Sequence, residues 1–192
     1  MNQRQRQKDA RQKQILETSL DLFVRHGYTG TSTREISRAL GISSGLMFHY
    51  YDTKEQLFLA HLDTAAECIR MLEEFLHMPH PPMQIFQEIA DTMLSYFSVS
   101  PSSAKVFLLA KQALYADYLT DEMKLRLKGM NIVDSMVPVV EAGQRAGDIR
   151  PGDARTLAHC FFSSLESVAE TAVCFPASPL PESRWLVDIL KA

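Results

Sequence analysis

The stretch TREISRALGISSGLMFHYYD, residues 33–52, constrains this chain more than any other. Apolar side chains fall at Ile36, Leu40, Ile42, Met47 and Tyr50, a small Ser37 lies between the first two, and Gly41 stands at the bend. Two short helices that cross steeply need this arrangement: a small residue at the crossing, a glycine free to adopt positive φ, and inward residues on both helices. With a helix starting near Ser43, the positions of Met47, Tyr50, Tyr51 and Lys54 share one side, while Gly45 and His49 point the opposite way. The first side predicts core; the second predicts a partner.

The rest of the chain reads as helix. A first helix over about Asp9–His26 carries Ile15, Leu16, Ser19, Leu20 and Phe23 on one face and stops at Gly27. Ser32 and Glu35 have the spacing of a capping box at the start of the second helix, and Thr53 with Gln56 opens the fourth in a similar way. Phe58, Leu62, Ala65, Ile69, Leu72 and Leu76 keep a 3-4 spacing along that fourth helix until HMPHPP, His77 to Pro82, breaks it. A fifth helix is marked by Ile85, Phe86, Ile89, Ala90, Met93, Leu94 and Phe97. Pro101 suits the first turn of a sixth, buried one. A seventh is expected over 121–146, bent at Pro138, an eighth from the N-cap Asp153 to before Pro176, and a last over about 182–190. Strand signals are almost absent. The expected class is all-α, about nine helices, with a helix-turn-helix domain over 1–53 and a second helical domain over 54–192.

Charge separates the two parts. Through Glu55 there are nine Lys/Arg and six Asp/Glu, net +3; the remainder has eleven and seventeen, net −6. A basic head on an acidic body points to a polyanionic partner for the head alone. The three cysteines, Cys68, Cys160 and Cys174, are scattered without CxxC spacing, which suggests neither a disulfide framework nor a zinc ribbon and fits a reducing cytoplasm. No apolar run is long enough to span a bilayer, and no assembled nucleophile, base and orienter or Gly-rich phosphate loop suggests an enzyme.

The outward face of the third helix suits a DNA major groove. Gly45 lets backbone approach closely, and His49, between Leu46, Phe48 and their apolar surfaces, offers a hydrogen-bonding group among contacts for thymine methyls. Lys54 and the first-turn N–H groups at Thr33 are placed to meet phosphates.

The run ILETSLDLFVRHGYTGTSTREISRALGISSGLMFHYYDTKEQL, with its first-helix glycine, Thr-rich cap, Gly-Ile turn and His-Tyr-aromatic-x-x-Lys ending, resembles the TetR family of bacterial transcriptional regulators. GQRAGDIRPGD is similar to a weaker turn of that family. The resemblance implies a homodimer of all-α subunits, in which the first three helices bind double-stranded DNA and the rest binds a small molecule and dimerises. Family DNA contacts map onto Thr33, Arg34, Ser44, Gly45, Leu46, Phe48, His49 and Lys54. Two positions depart from the family's usual pattern: Phe48 lacks the hydroxyl of the commoner Tyr, and Leu46 lacks the hydrogen-bonding group of the commoner Thr.

In the second domain, Met71, Phe75, Met93, Phe97, Phe107, Phe162 and Glu166 are candidates for a ligand pocket, because thioethers and aromatics reshape around varied apolar ligands. The apolar members suit core filling equally well, and the Glu166 carboxylate suits a solvated or interface-rim position. His77 and His80 sit in a proline loop that itself carries no acidic or cysteine ligand, so neither a metal nor another cofactor is expected. The resulting expectation is a cytoplasmic regulator, a repressor that binds a palindromic operator as a homodimer and is released by a small, largely apolar effector, with no membrane partner. The alternative is a DNA-binding architectural protein without ligand control.

Overall fold

The computed structural model describes residues 2–128 and 130–192. Ten helices are present among them: α1 Gln3–Gly30, α2 Thr33–Leu40, α3 Ser44–Tyr50, α4 Lys54–Leu76, α5 Pro82–Val99, α6 Pro101–Ala113, α7 Asp121–Lys128, α8 Ile132–Ala146, α9 Ala154–Cys174 and α10 Ser183–Val187. The fold is all-α. Among the described residues, the only β feature is an isolated antiparallel bridge between Ile149 and Lys191. No helix among them is long and apolar enough to cross a membrane.

The helix starts follow side-chain chemistry. Ser32 and Glu35 form a reciprocal capping box, with Ser32 Oγ accepting from the Glu35 N–H at 3.2 Å and Glu35 Oε2 accepting from the Ser32 N–H at 2.8 Å. Ser43, Thr53 and Asp153 cap α3, α4 and α9 through their side-chain oxygens. Proline occupies the first position of both α5 and α6. Gly41, at φ 64°, ends α2 in the left-handed region and makes the turn to α3.

Three boundaries differ from the sequence expectation. α1 begins at Gln3, where Asn2 caps it, because the Arg/Gln/Lys run before Ile15 contains only adequate helix formers and no Gly, Pro or β-branched residue. Gly27, at φ 72°, does interrupt the helix as expected, and a further turn follows it to Gly30. The single helix expected over 121–146 is instead α7 and α8. Asn131 there is non-helical at φ −85°, ψ 77°, residue 129 lies outside the described residues, and Pro138 stays inside α8. α10 is shorter than expected because the chain after it turns back to the α8–α9 connection, where the Arg150 N–H donates to the Leu190 carbonyl at 2.9 Å.

Two apolar cores result. One is built from the distal half of α4 with α5, α6, α8, α9 and α10, around Phe86, Met93, Phe161 and Leu165. The other joins α1, α2 and α3 to the proximal half of α4, the end of α6 and α7, around Ile15, Phe23, Ile36, Met47 and Phe58. The second core therefore runs across the sequence position 53/54: Leu109, Ala113, Met123 and Leu127 contribute to the packing that seats the first three helices.

Candidate nucleic-acid interface and apolar cavity

The α2–α3 pair is held from inside. Ile36 and Met47 have no exposed surface, and Ser37, the small residue at the crossing, donates to the Thr33 carbonyl at 2.9 Å and approaches Met47 Sδ at 3.4 Å. Tyr51 is buried, and its hydroxyl accepts from Gln12 Nε2 at 3.2 Å, pinning the end of α3 to α1. Tyr50, expected in the core, is only half-buried. It stands edge-on to the His49 ring, at 5.5 Å, on the flank of the helix.

The opposite face of α3 is open. Ser44, Gly45, Leu46, Phe48 and His49 are all exposed, with Leu46 and Phe48 at 39% and 44% despite their apolar character. A Cβ at Gly45 would meet nothing nearer than Ser43 Oγ at 4.0 Å, and its φ is not positive, so neither packing nor backbone geometry of this chain calls for glycine there. Arg34 is exposed beside this face, and Thr33 is half-buried at the first position of α2. The N-terminal turns of α1 add Arg4, Lys8 and Arg11 to a groove whose other wall is Leu46, His49 and Tyr50 of α3.

Lys54 is placed differently from the other seven residues. Its ammonium donates to the carbonyls of Tyr28 at 2.8 Å and Thr31 at 3.0 Å and lies 4.1 Å from the centre of the Tyr28 ring. It satisfies carbonyls at the end of α1, and partial burial lowers its pKa. Spacing alone puts Lys54 on the core side of the α3 register; the inward hydrogen bonds depend on the Gly27 turn that follows His26.

In the body, α4, α5 and α6 wall a partly open cavity of about 220 Å³. Met71, Met93, Phe97 and Phe107, four of the candidate pocket residues, line it together with Cys68, Tyr96 and Val106. Phe162 and Glu166 do not reach it. They border a separate void of about 40 Å³ on the other side of Phe107, where Glu166 pairs with Lys111 at 3.4 Å. Phe75 borders neither space and packs against the body core instead. Cys68 and Tyr96 were missing from the sequence candidates because a lone Cys or Tyr on a helix gives no periodic signal. His77 Nδ1 faces the Glu73 carbonyl at 2.8 Å, and His80 Nδ1 lies 3.0 Å from Glu88, so the two imidazoles engage separate partners.

Polar links join α6 to α1 and hold the α7 region against α4. Lys105 of α6 pairs with Asp21 of α1 at 2.5 Å, Thr120 donates to Glu55 at 2.6 Å, and Arg126 of α7 pairs with Asp63 of α4 at 2.6 Å. Val106 and Phe107 line the cavity while Leu109 and Ala113, on the same helix, belong to the head's core.

A helix-turn-helix with a packed inner face and an exposed outer one, mounted on a helical body, defines a DNA-binding regulator. Residues 15–61 match the sequence model of the family described as bacterial regulatory proteins, tetR family. The chain is 24% identical over 172 residues to the HTH-type transcriptional regulator RutR of Escherichia coli K12, covering 88% of this chain and 78% of that one. It is 26% identical over 164 residues to the HTH-type transcriptional repressor NicS of Pseudomonas putida, covering 84% and 76%. The fold is similar to that of AibR, solved in complex with isovaleryl coenzyme A and operator DNA, with a TM-score of 0.69 at 20% identity over 93% of this chain and 94% of that one. Residues 15–61 are thus similar to the tetR family of bacterial regulatory proteins, and the likeness to the regulators RutR and NicS runs over most of the chain.

Proposed function

We propose that this regulator is a cytoplasmic repressor that binds a palindromic operator as a homodimer and is released by a small, largely apolar effector. The observation that carries the reading is the sharing of α6: its Val106 and Phe107 wall the cavity, and its Leu109 and Ala113 pack in the core that seats α1, α2 and α3. α4 does the same, with Cys68 and Met71 at the cavity and Leu57, Phe58 and Leu62 in the head's core. A ligand that prefers one packing of α4 against α6 thereby prefers one placement of the head, and in a dimer it alters the spacing of the two α3 helices. Thr33, Arg34, Ser44, Gly45, Leu46, Phe48 and His49 form the proposed DNA surface. Lys54 holds that surface in place through α1, with two of its three N–H donors engaged on carbonyls.

The named relatives support the regulatory reading, and AibR, of similar fold, was solved with isovaleryl coenzyme A and operator DNA together. A twofold dimer requires a site with matching symmetry. The competing architectural reading supplies no role for an apolar cavity. Selection of bound genomic fragments, followed by footprinting, tests the proposal: an inverted repeat protected by a dimer supports it, and a monomeric or sequence-indifferent complex removes it.

A further inference from the structure

The lining of the α4–α5–α6 cavity specifies a ligand more narrowly than "apolar". Its volume, about 220 Å³, exceeds the roughly 150 Å³ of an engineered apolar cavity that holds benzene, and falls below the roughly 300–1,000 Å³ of sites for drug-sized ligands. A substituted single ring fits; a nucleotide-bearing thioester does not fit inside. The walls supply Met71, Met93 and Cys68 sulfurs beside Phe97, Phe107 and Tyr96, a surface suited to the edge and face of an aromatic ring.

None of the described residues lining the space is cationic. Glu67 is its one carboxylate and pairs with Arg70. A carboxylate entering here would give up part of its hydration without gaining a counter-charge from the lining.

Two polar hydrogens in this lining rest on sulfur. The Tyr96 hydroxyl donates to Met71 Sδ at 3.4 Å, and the Cys68 thiol donates to Met93 Sδ at 3.9 Å. A thioether is a weak acceptor, so an oxygen brought within reach of the stronger donor, the Tyr96 hydroxyl, takes it over at small cost.

We infer that this cavity takes an uncharged, single-ring aromatic molecule carrying one oxygen acceptor, which is hydrogen-bonded by Tyr96. The inference rests on the effector-release reading above only for its regulatory meaning; the binding itself is separately measurable.

The test uses the full chain with three probes of nearly equal size, acetophenone, ethylbenzene and benzoate, titrated by calorimetry. Acetophenone is expected to bind about tenfold more tightly than ethylbenzene, the order of one net hydrogen bond, and benzoate not to bind measurably. Tyr96 is 45% exposed and its hydroxyl has only the sulfur as partner, so Tyr96→Phe folds normally and should bring acetophenone down to the ethylbenzene affinity. A gap that survives Tyr96→Phe, or benzoate binding as tightly as acetophenone, overturns the assignment. Operator binding is then measured with saturating acetophenone. Cavity binding that leaves the operator complex intact keeps the ligand class and removes effector release. Release by a compound indifferent to Tyr96→Phe, with no binding of acetophenone, does the reverse.

Discussion

Ser19 Oγ and His61 Nε2 meet at 2.9 Å in the buried seam between α1 and α4. Ser19 already donates to the Leu16 carbonyl at 3.0 Å, so it accepts from the imidazole N–H. The His61 ring also stands edge-on to Phe23 at 6.0 Å. Burial depresses the His61 pKa from 6.5 to about 4, so the neutral ring is the folded form at neutral pH. The pair joins the helix that carries the cavity to the helix that supports the reading head.

A pH dependence of stability follows. Between pH 6.5 and about 4 the unfolded chain takes up a proton at His61 that the folded chain refuses, so stability is full above 6.5 and declines as pH falls through that window. The loss approaches about 3 kcal/mol at the acid end, from about 1.4 kcal/mol per pH unit of separation. Urea unfolding at several pH values measures it. His61→Gln keeps a donor toward Ser19 and should flatten the slope in this window; an unchanged slope would place the titrating group elsewhere.

Gly143 of α8 faces Ile149, and a Cβ at that position would overlap the Ile149 side chain well inside contact distance. Gly143→Ala should therefore destabilise by about 1–3 kcal/mol, the usual range for overpacking, although alanine is the better helix former. Thermal unfolding of the variant decides the sign. Stabilisation would mean that Ile149 and the bridge to Lys191 yield without cost.

Much of this architecture was legible because periodic or capping signals encode it. Ser32, Thr53 and Asp153 cap the helices expected of them, α3 starts beside Ser43 as its spacing implies, and Ile36, Ser37, Gly41 and Met47 occupy their expected places in the turn. What escaped depends on tertiary proximity without local pattern. The Ser19–His61 bond spans 42 positions and the Lys105–Asp21 pair 84, and neither partner alone is unusual on its helix. Phe75, Phe162 and Glu166 show the limit from the other side. A Met- and Phe-rich composition implies apolar packing, but which side of Phe107 each residue falls on is set by helix rotation that the sequence pattern leaves open.

At the proposed DNA surface, His49→Ala is expected to remove roughly 1–3 kcal/mol of discrimination at one base pair per half-site. The side chain is exposed, so folding should not change. Binding to intact and scrambled operators gives the answer: equal losses on both would make His49 a positioning contact.

Lys54 and Arg34 should separate structural from electrostatic contributions. Lys54→Ala strips two carbonyls of a charged donor and is expected to cost about 1.5–3 kcal/mol of head stability. Arg34→Ala, at an exposed position, should leave the melting temperature alone. Both should weaken binding across sequences, and Arg34→Ala should also make the salt slope shallower. A Lys54→Ala protein that melts like the wild type while losing DNA affinity would show that the carbonyl contacts are dispensable and that phosphate is the partner that matters.

Coupling between cavity and operator should pass through the α6–α1 junction. If an effector favours the released dimer by roughly 3 kcal/mol, operator affinity falls on the order of 100-fold, and reciprocity requires the same factor in effector affinity between free and operator-bound protein. Lys105 is two residues from Phe107 of the cavity wall and pairs with Asp21 of α1 at 2.5 Å. Asp21→Asn removes that charge pairing without touching the cavity lining. It should preserve effector affinity for free protein while shrinking the factor between free and operator-bound forms. The four titrations, wild type and variant with and without operator, resolve the two effects. A coupling factor unchanged in Asp21→Asn would confine transmission to the shared apolar packing of Leu109 and Ala113, where no charge substitution reaches it.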